Sequence, residues 1–224
     1  MALYQDLSQF GIANRSYSVA EWQELERRTG EKFEYHNGRL VHWRAMAGGT
    51  FAHSAISGNI IYALGAAVRE RERDEASAVR CGVHTSDLKL KLPGSARYVY
   101  PDAAVVCGSP EFDAAVPTAI SNSAVVAEVL SPSSEQYDGG KKFSYYAKLD
   151  SLREYLLVTQ DAHQVEVRSR REAGGLWDIR FYVLGDTGVK IPSLEVELSM
   201  DEIYRGVETP FDEEPGDEGA TVPA

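Results

Sequence analysis

The sequence is poor in cysteine and basic charge, and it has no long apolar run. Its two cysteines, Cys81 and Cys107, are too few for a disulfide framework. The N-terminal MALYQDLSQF lacks a basic segment leading into an apolar one, so no secretory signal is expected. The simplest expectation is two reduced thiols in a cytoplasmic protein. No apolar stretch approaches the roughly 20 residues that span a bilayer. The phosphate-loop pattern GxxxxGKS/T, the dinucleotide pattern GxGxxG and the hydrolase elbow GxSxG are all missing. CxxC and HExxH are missing too, and His36, His42, His53, His84 and His163 are scattered, which argues against a structural zinc site. Lys and Arg number 23 against 34 acids, for a net charge of −11. That balance excludes a protein that coats nucleic acid by bulk charge. Residues 208–224 hold six of the acids and no Lys or Arg, which leaves −5 on the rest and room for a local basic groove.

What is present suits one domain with a sizeable core: 224 residues, 43% hydrophobic and 25% charged. Residues 1–16 read as a loosely docked arm, 17–207 as the folded body and 208–224 as an acidic, disordered tail. Ser18-Val-Ala-Glu21 is a capping box that opens a helix carrying Trp22 and Leu25 and stopping at Gly30. Residues 32–43 predict a hairpin turning at Asn37-Gly38, with Phe33, Tyr35 and Leu40 on one face and Glu34, Val41 and Trp43 on the other. Ile56, Ile60, Leu64 and Ala67 mark a helix over about 54–75. Strands are expected over 78–92, over 97–107 with Pro101 at an edge or bulge, and over the buried run 124–130. A short helix at 139–149, strands at 154–159, 163–170, 176–184 and 189–198, and a helix capped by Ser199 complete the order. The fold class is α/β with a mixed sheet.

One acid lies inside the most apolar strand. Glu128 in VVAEVL carries a desolvation cost unless it meets a cation, a proton or donors. Asp102 follows Pro101 and precedes the apolar run AAVVC. If the two strands are neighbours, the carboxylates converge, and with a backbone carbonyl they make a hard-oxygen site suited to Mg²⁺. By pattern alone Asp102 fits a strand-end residue as well, and Glu128 fits one half of a buried ion pair. Paired carboxylates without metal could also serve glycoside hydrolysis, but no Trp lies near either acid. Beyond Ser131-Pro132, Asp138 can cap a helix in which Lys142 and Tyr146 share a face. A lysine there can reach a metal-bound water or a phosphate, although most helix lysines are solvated.

FEYHNGRLV at 33–41, His53, YPDAAVV at 100–106, EVLSPSSEQYDGGKKFSYY at 128–146, SLREYLLV at 151–158 and PSLEVELSMDEIY at 192–204 together resemble the Uma2 family. This family, also called DUF820, is one of restriction endonucleases in the PD-(D/E)XK nuclease superfamily. The resemblance implies a restriction-endonuclease-like core of mixed sheet flanked by helices. It implies that Asp102, Glu128 and the Val129 carbonyl hold Mg²⁺ or Mn²⁺. Leu130 stands where the superfamily has its strand lysine, and the resemblance gives that role to Lys142. Glu34 matches the family's early glutamate, which implies an added ligand or water contact, while the hairpin pattern allows plain exposure as well. His53 is expected either near the cleft or as the cap of its helix. The activity implied is metal-dependent hydrolysis of nucleic-acid phosphodiesters, DNA foremost, leaving 5′-phosphate ends. A homodimer would suit cutting of two strands. The competing expectation is a module that keeps the fold, has lost the reaction and serves in binding or assembly.

Overall fold

In the computed structural model, which describes residues 12, 14–42, 50–73, 79–130, 137–172 and 175–209, the first helix starts as its capping box dictates. Helix α1 (Val19–Thr29) follows Ser18, whose hydroxyl accepts from the Glu21 N–H, while the Glu21 carboxylate accepts from the Ser18 N–H at 2.8 Å. Satisfying these orphan donors stabilises the helix by about 1 kcal/mol. Trp22 and Leu25 are buried, and Gly30 ends the helix at φ 70°. Strands β1 (Phe33–His36) and β2 (Arg39–His42) form the hairpin, with Glu34 opposite Val41 and Tyr35 opposite Leu40. Asn37 and Gly38 take φ 52° and 90°, the two-residue turn whose twist matches the strands. A Cβ at residue 38 would run into the Ser16 hydroxyl. Gly38→Ala is therefore expected to cost more than about 1 kcal/mol, read as a lower urea midpoint with unchanged slope.

Helix α2 (Phe51–Arg71) starts earlier and ends sooner than its periodicity predicts. Thr50 is its cap and accepts from the His53 N–H at 3.0 Å, so His53 lies inside the first turn and does not cap it. By length and composition α2 could cross a bilayer, against the expectation that no stretch comes near that size. Its buried stripe, Ile56, Ile60, Leu64 and Val68, packs here against Val105, Val125, Val129 and Val158, as a core helix does.

The chain continues through β3 (Cys81–Thr85), β4 (Lys89–Leu92), β5 (Arg97–Val99), β6 (Ala103–Cys107), β7 (Ala119–Ile120) and β8 (Val125–Leu130). A π-helical turn (Tyr137–Lys142) runs into the short α3 (Phe143–Tyr146), where a plain α-helix over 139–149 was expected. Then come β9 (Glu154–Thr159), β10 (Gln164–Arg170), β11 (Trp177–Val183), β12 (Gly188–Ile191), β13 (Val196–Ser199) and α4 (Met200–Ile203). One sheet has the order β2-β1-β5-β4-β7, a second β11-β10-β9-β8-β6-β3, and β12 and β13 pair alone. Strands β8 and β9 run parallel while β6 and β8 run antiparallel, so the α/β fold with mixed sheets flanked by helices holds.

Three expected strands are divided. Residues 78–92 become β3 and β4, and 97–107 become β5 and β6; in each case the chain passes from one sheet to the other. Pro101 has no N–H for a ladder and lies at the second break. Residues 189–198 fold into the β12–β13 hairpin around Pro192, with Glu195 at φ 55°. The cysteines are not two reduced thiols. The β3–β6 register sets Cys81 opposite Cys107, and they are joined as a disulfide. Their 26-residue separation hides a pairing that only the sheet register reveals. Most of the arm, Trp43, Ser131-Pro132 and the tail from 210 onward lie outside the described residues.

Candidate active site

All six residues of β8 are buried. Alternation sends Val125, Ala127 and Val129 toward α2, while Val126 and Leu130 join a second cluster with Tyr146, Tyr155 and Leu157. Glu128 lies on that second face, 4% exposed. Its Oε1 accepts from the Tyr146 hydroxyl at 2.8 Å and lies 2.8 Å from Lys142 Nζ. Lys142 is buried, so the solvated reading of this lysine is corrected. Lys142 and Tyr146 are four residues apart, which lets both reach one oxygen.

Lys142 Nζ is also 3.7 Å from Glu34 Oε1. Glu34 belongs to β1 in the other sheet and is fully buried, so one ammonium bridges acids from two sheets. His36, on the same face of β1, contacts Glu34 Oε2 at 2.9 Å, and Arg97 meets the other His36 nitrogen. The alternation of the hairpin could have flagged His36. Arg97 could not be found that way, because its pairing with His36 is set by the long-range β1–β5 register.

Asp102 is delivered by the passage from β5 to β6. Tyr100 holds that passage: its hydroxyl donates to Glu26 at 2.7 Å. The β6–β8 register pairs Ala103 with Ala127, and one further step sets Asp102 against Glu128. Asp102 Oδ2 accepts from the Val129 N–H at 2.8 Å. An extended residue sends its N–H and C=O to the same side, so the Val129 carbonyl also leaves β8 on the Asp102 side. His53 Nε2 lies 3.4 Å from Asp102 Oδ2, is buried and makes no hydrogen bond among the described residues. Of the expected sites, Glu34, Glu128 and Lys142 thus come together, while Asp102 meets Val129 and His53 beside the neighbouring strand. The Asp138 side chain, expected to cap the Lys142 helix, lies outside the described residues. A cavity of about 450 Å³ begins beyond Glu128 on the same sheet face, lined by Leu130, Leu157, Thr159, Glu166 and Arg168 among others.

Burial alone would raise the Glu34 carboxyl. The Lys142 charge, the His36 contact and the Tyr100 N–H together outweigh it and hold Glu34 below its ordinary value of 4.5. Burial first, then the Glu128 charge, drives the Tyr146 hydroxyl well above its ordinary value, so it stays a donor. A depressed carboxylate contributes stability above its unfolded pKa and loses it as pH falls through the folded one. The urea midpoint is therefore expected to drop as pH goes below about 4.5, and less steeply in Glu34→Gln.

Among the described residues the Lys142 ammonium is shared by two carboxylates, Glu34 and Glu128, and Asp102 lies one register step from the Ala103–Ala127 pair, beside Glu128. The three carboxylates offer hard-oxygen donors. That set fits a divalent cation such as Mg²⁺ or Mn²⁺. Among the described residues no group of three or more His, Cys, Asp or Glu side chains is placed to hold a metal ion. Two carboxylates and a carbonyl would leave part of such an ion's coordination to water.

Residues 19–201 match the family Uma2, described as "Putative restriction endonuclease". The chain is 32% identical over 190 residues to the uncharacterized protein slr1290 of Synechocystis sp., covering 85% of this chain and 92% of that one. It is 30% identical over 149 residues to sll1609, an uncharacterized protein of the same organism, covering 66% and 78%. A crystal structure from Anabaena variabilis, titled as a "putative nuclease belonging to DUF820", shares the fold with a TM-score of 0.56 and 19% identity over 78% of this chain and 90% of that one. With a family match running through both sheets and every residue of the carboxylate–lysine cluster, this chain belongs to the Uma2 family.

Proposed function

We propose that this protein is a metal-dependent endonuclease that hydrolyses nucleic-acid phosphodiester bonds, with DNA as the expected substrate. The observation that supports it most is the buried Glu128–Lys142 pair, drawn from two separate segments, with buried Asp102 at the adjoining strand position. The family description and the fold shared with a DUF820 nuclease support the same reading. Asp102, Glu128 and the Val129 carbonyl would hold Mg²⁺ or Mn²⁺. When bound, such an ion supplies Lewis-acid polarisation of the scissile phosphate and a more acidic water. Tyr146 fixes the Glu128 carboxylate through its hydrogen bond. Lys142, lying between Glu128 and Glu34, is placed to offset charge growing on phosphate oxygens. Glu34 and His36 act as positioning residues that keep the lysine at that point.

A second reading is a nuclease-fold module without the reaction. Leu130 at the strand-lysine position favours it, as does the 2.8 Å Lys142 contact, which compensates Glu128 with no cation needed. Incubation of supercoiled plasmid, linear duplex, single-stranded DNA and RNA with Mn²⁺, Mg²⁺ or EDTA separates the two. The expected result is metal-dependent cleavage of DNA to 5′-phosphate ends that weakens steeply with salt. Intact substrates under every metal condition, from folded protein, would establish the inert module.

A further inference from the structure

Strand β11 ends the six-stranded sheet, and among the described residues no strand pairs with its outer edge. An open edge is a template for another strand, and proteins usually blunt one with short length, proline or inward charge. β11 is seven residues long and contains no proline. One of its faces carries Trp177, Ile179, Phe181 and Val183, of which the last three are 55%, 56% and 49% exposed. The other face presents Asp178 and Arg180, both exposed. Asp178 is held in place by Arg171 at 2.8 Å.

We propose that β11 pairs antiparallel with β11 of a second copy of this chain, about a twofold axis through Ile179, so that two six-stranded sheets become one. In this register Asp178 lies opposite Arg180 of the partner subunit, and Arg180 opposite the partner's Asp178. Ile179 meets its own copy, and Trp177 meets the partner's Phe181. The twofold axis produces each heterotypic pair twice. Opposite charges and aromatic pairs directly across a ladder are the favourable cross-strand combinations. Moving the axis to Arg180 would set two guanidinium groups against each other. Moving it to Phe181 would set Arg180 against Tyr182 and leave Asp178 without a cationic partner across the ladder. Charge complementarity therefore selects the Ile179 axis, and it commits this edge to a second copy rather than to an unrelated strand. Strands β9 and β10 separate β11 from β8, so pairing leaves the carboxylate cluster uncovered. The inference does not depend on the nuclease reading.

The mass of the full chain in solution, by sedimentation or light scattering across micromolar concentrations, tests it. The native chain is expected to be a dimer. Arg180→Asp and Asp178→Arg should each weaken association by at least about tenfold, since each creates two like-charge contacts. The double variant Asp178→Arg/Arg180→Asp should restore the dimer, because the charges have only changed sides. Ile179→Lys places two ammonium groups at the axis and should give a monomer, and with Arg180→Asp it carries the test if loss of the Arg171 contact unfolds Asp178→Arg. A monomeric native chain, a dimer indifferent to the single reversals, or a double variant that stays monomeric would each overturn the pairing.

Discussion

Replacing Lys142 with methionine is expected to destabilise the metal-free fold by about 3–5 kcal/mol, the cost of leaving buried charges without their partner. Glu34 and Glu128 would face each other across the two sheets with the shared ammonium removed. The pH profile should also flatten. In the native chain the Lys142 charge helps hold Glu34 below 4.5, so stability is present above that pH and is lost on acidification. In Lys142→Met burial acts with less opposition, so the carboxyl moves up from its native position. A carboxyl that is less depressed contributes less stability above its unfolded pKa, and the difference vanishes once both forms are protonated. The variant should thus approach native stability near pH 4–5 and fall furthest behind near neutrality. Mn²⁺ should recover part of the loss, because a divalent cation compensates the same carboxylates. Urea unfolding at several pH values measures all of this; a deficit under about 1 kcal/mol at neutral pH would contradict the bridging role. Turnover should also fall, by about a hundredfold, the usual cost of losing one group that stabilises transition-state charge.

Glu128→Gln and Asp102→Asn are expected to abolish metal-dependent cleavage, with losses of at least about a thousandfold, while the chain stays folded. Both substitutions keep size and shape and keep a hydrogen-bond acceptor in place. The Tyr146 hydroxyl can still donate to a glutamine carbonyl, and the Val129 N–H to an asparagine carbonyl. Folding should therefore be nearly unaffected, in contrast to Lys142→Met. That contrast matters, because a purely structural ion-pair cluster would show the reverse order, with stability lost and no cation-dependent property to lose. Cleavage that persists in both variants would remove these acids from the chemistry.

How far the sequence could be read depended on the range of the interaction. Ser18 and Glu21, or Asn37 and Gly38, act within four residues, and the helix start and hairpin register follow from them directly. Glu128 stood out because a carboxylate in an apolar strand needs a partner wherever the strand ends up. What was hidden is which sheet a strand joins. Residues 78–92 and 97–107 alternate as single strands would, yet each is shared between two sheets. The Cys81–Cys107 disulfide, the burial of Glu34 and the Arg97–His36 contact all depend on that division. Lys142 looked like a solvated helix lysine because local sequence does not show that two acids from different sheets meet above its turn.

The most direct test of the central claim is calorimetric titration of the metal-free chain with Mn²⁺, beside Asp102→Asn and Glu128→Gln. The account predicts one site per chain in the native protein, binding lost in both variants, and fold preserved by circular dichroism. Folded native protein that binds no Mn²⁺, or variants that bind it as the native chain does, would contradict a metal held between Asp102 and Glu128.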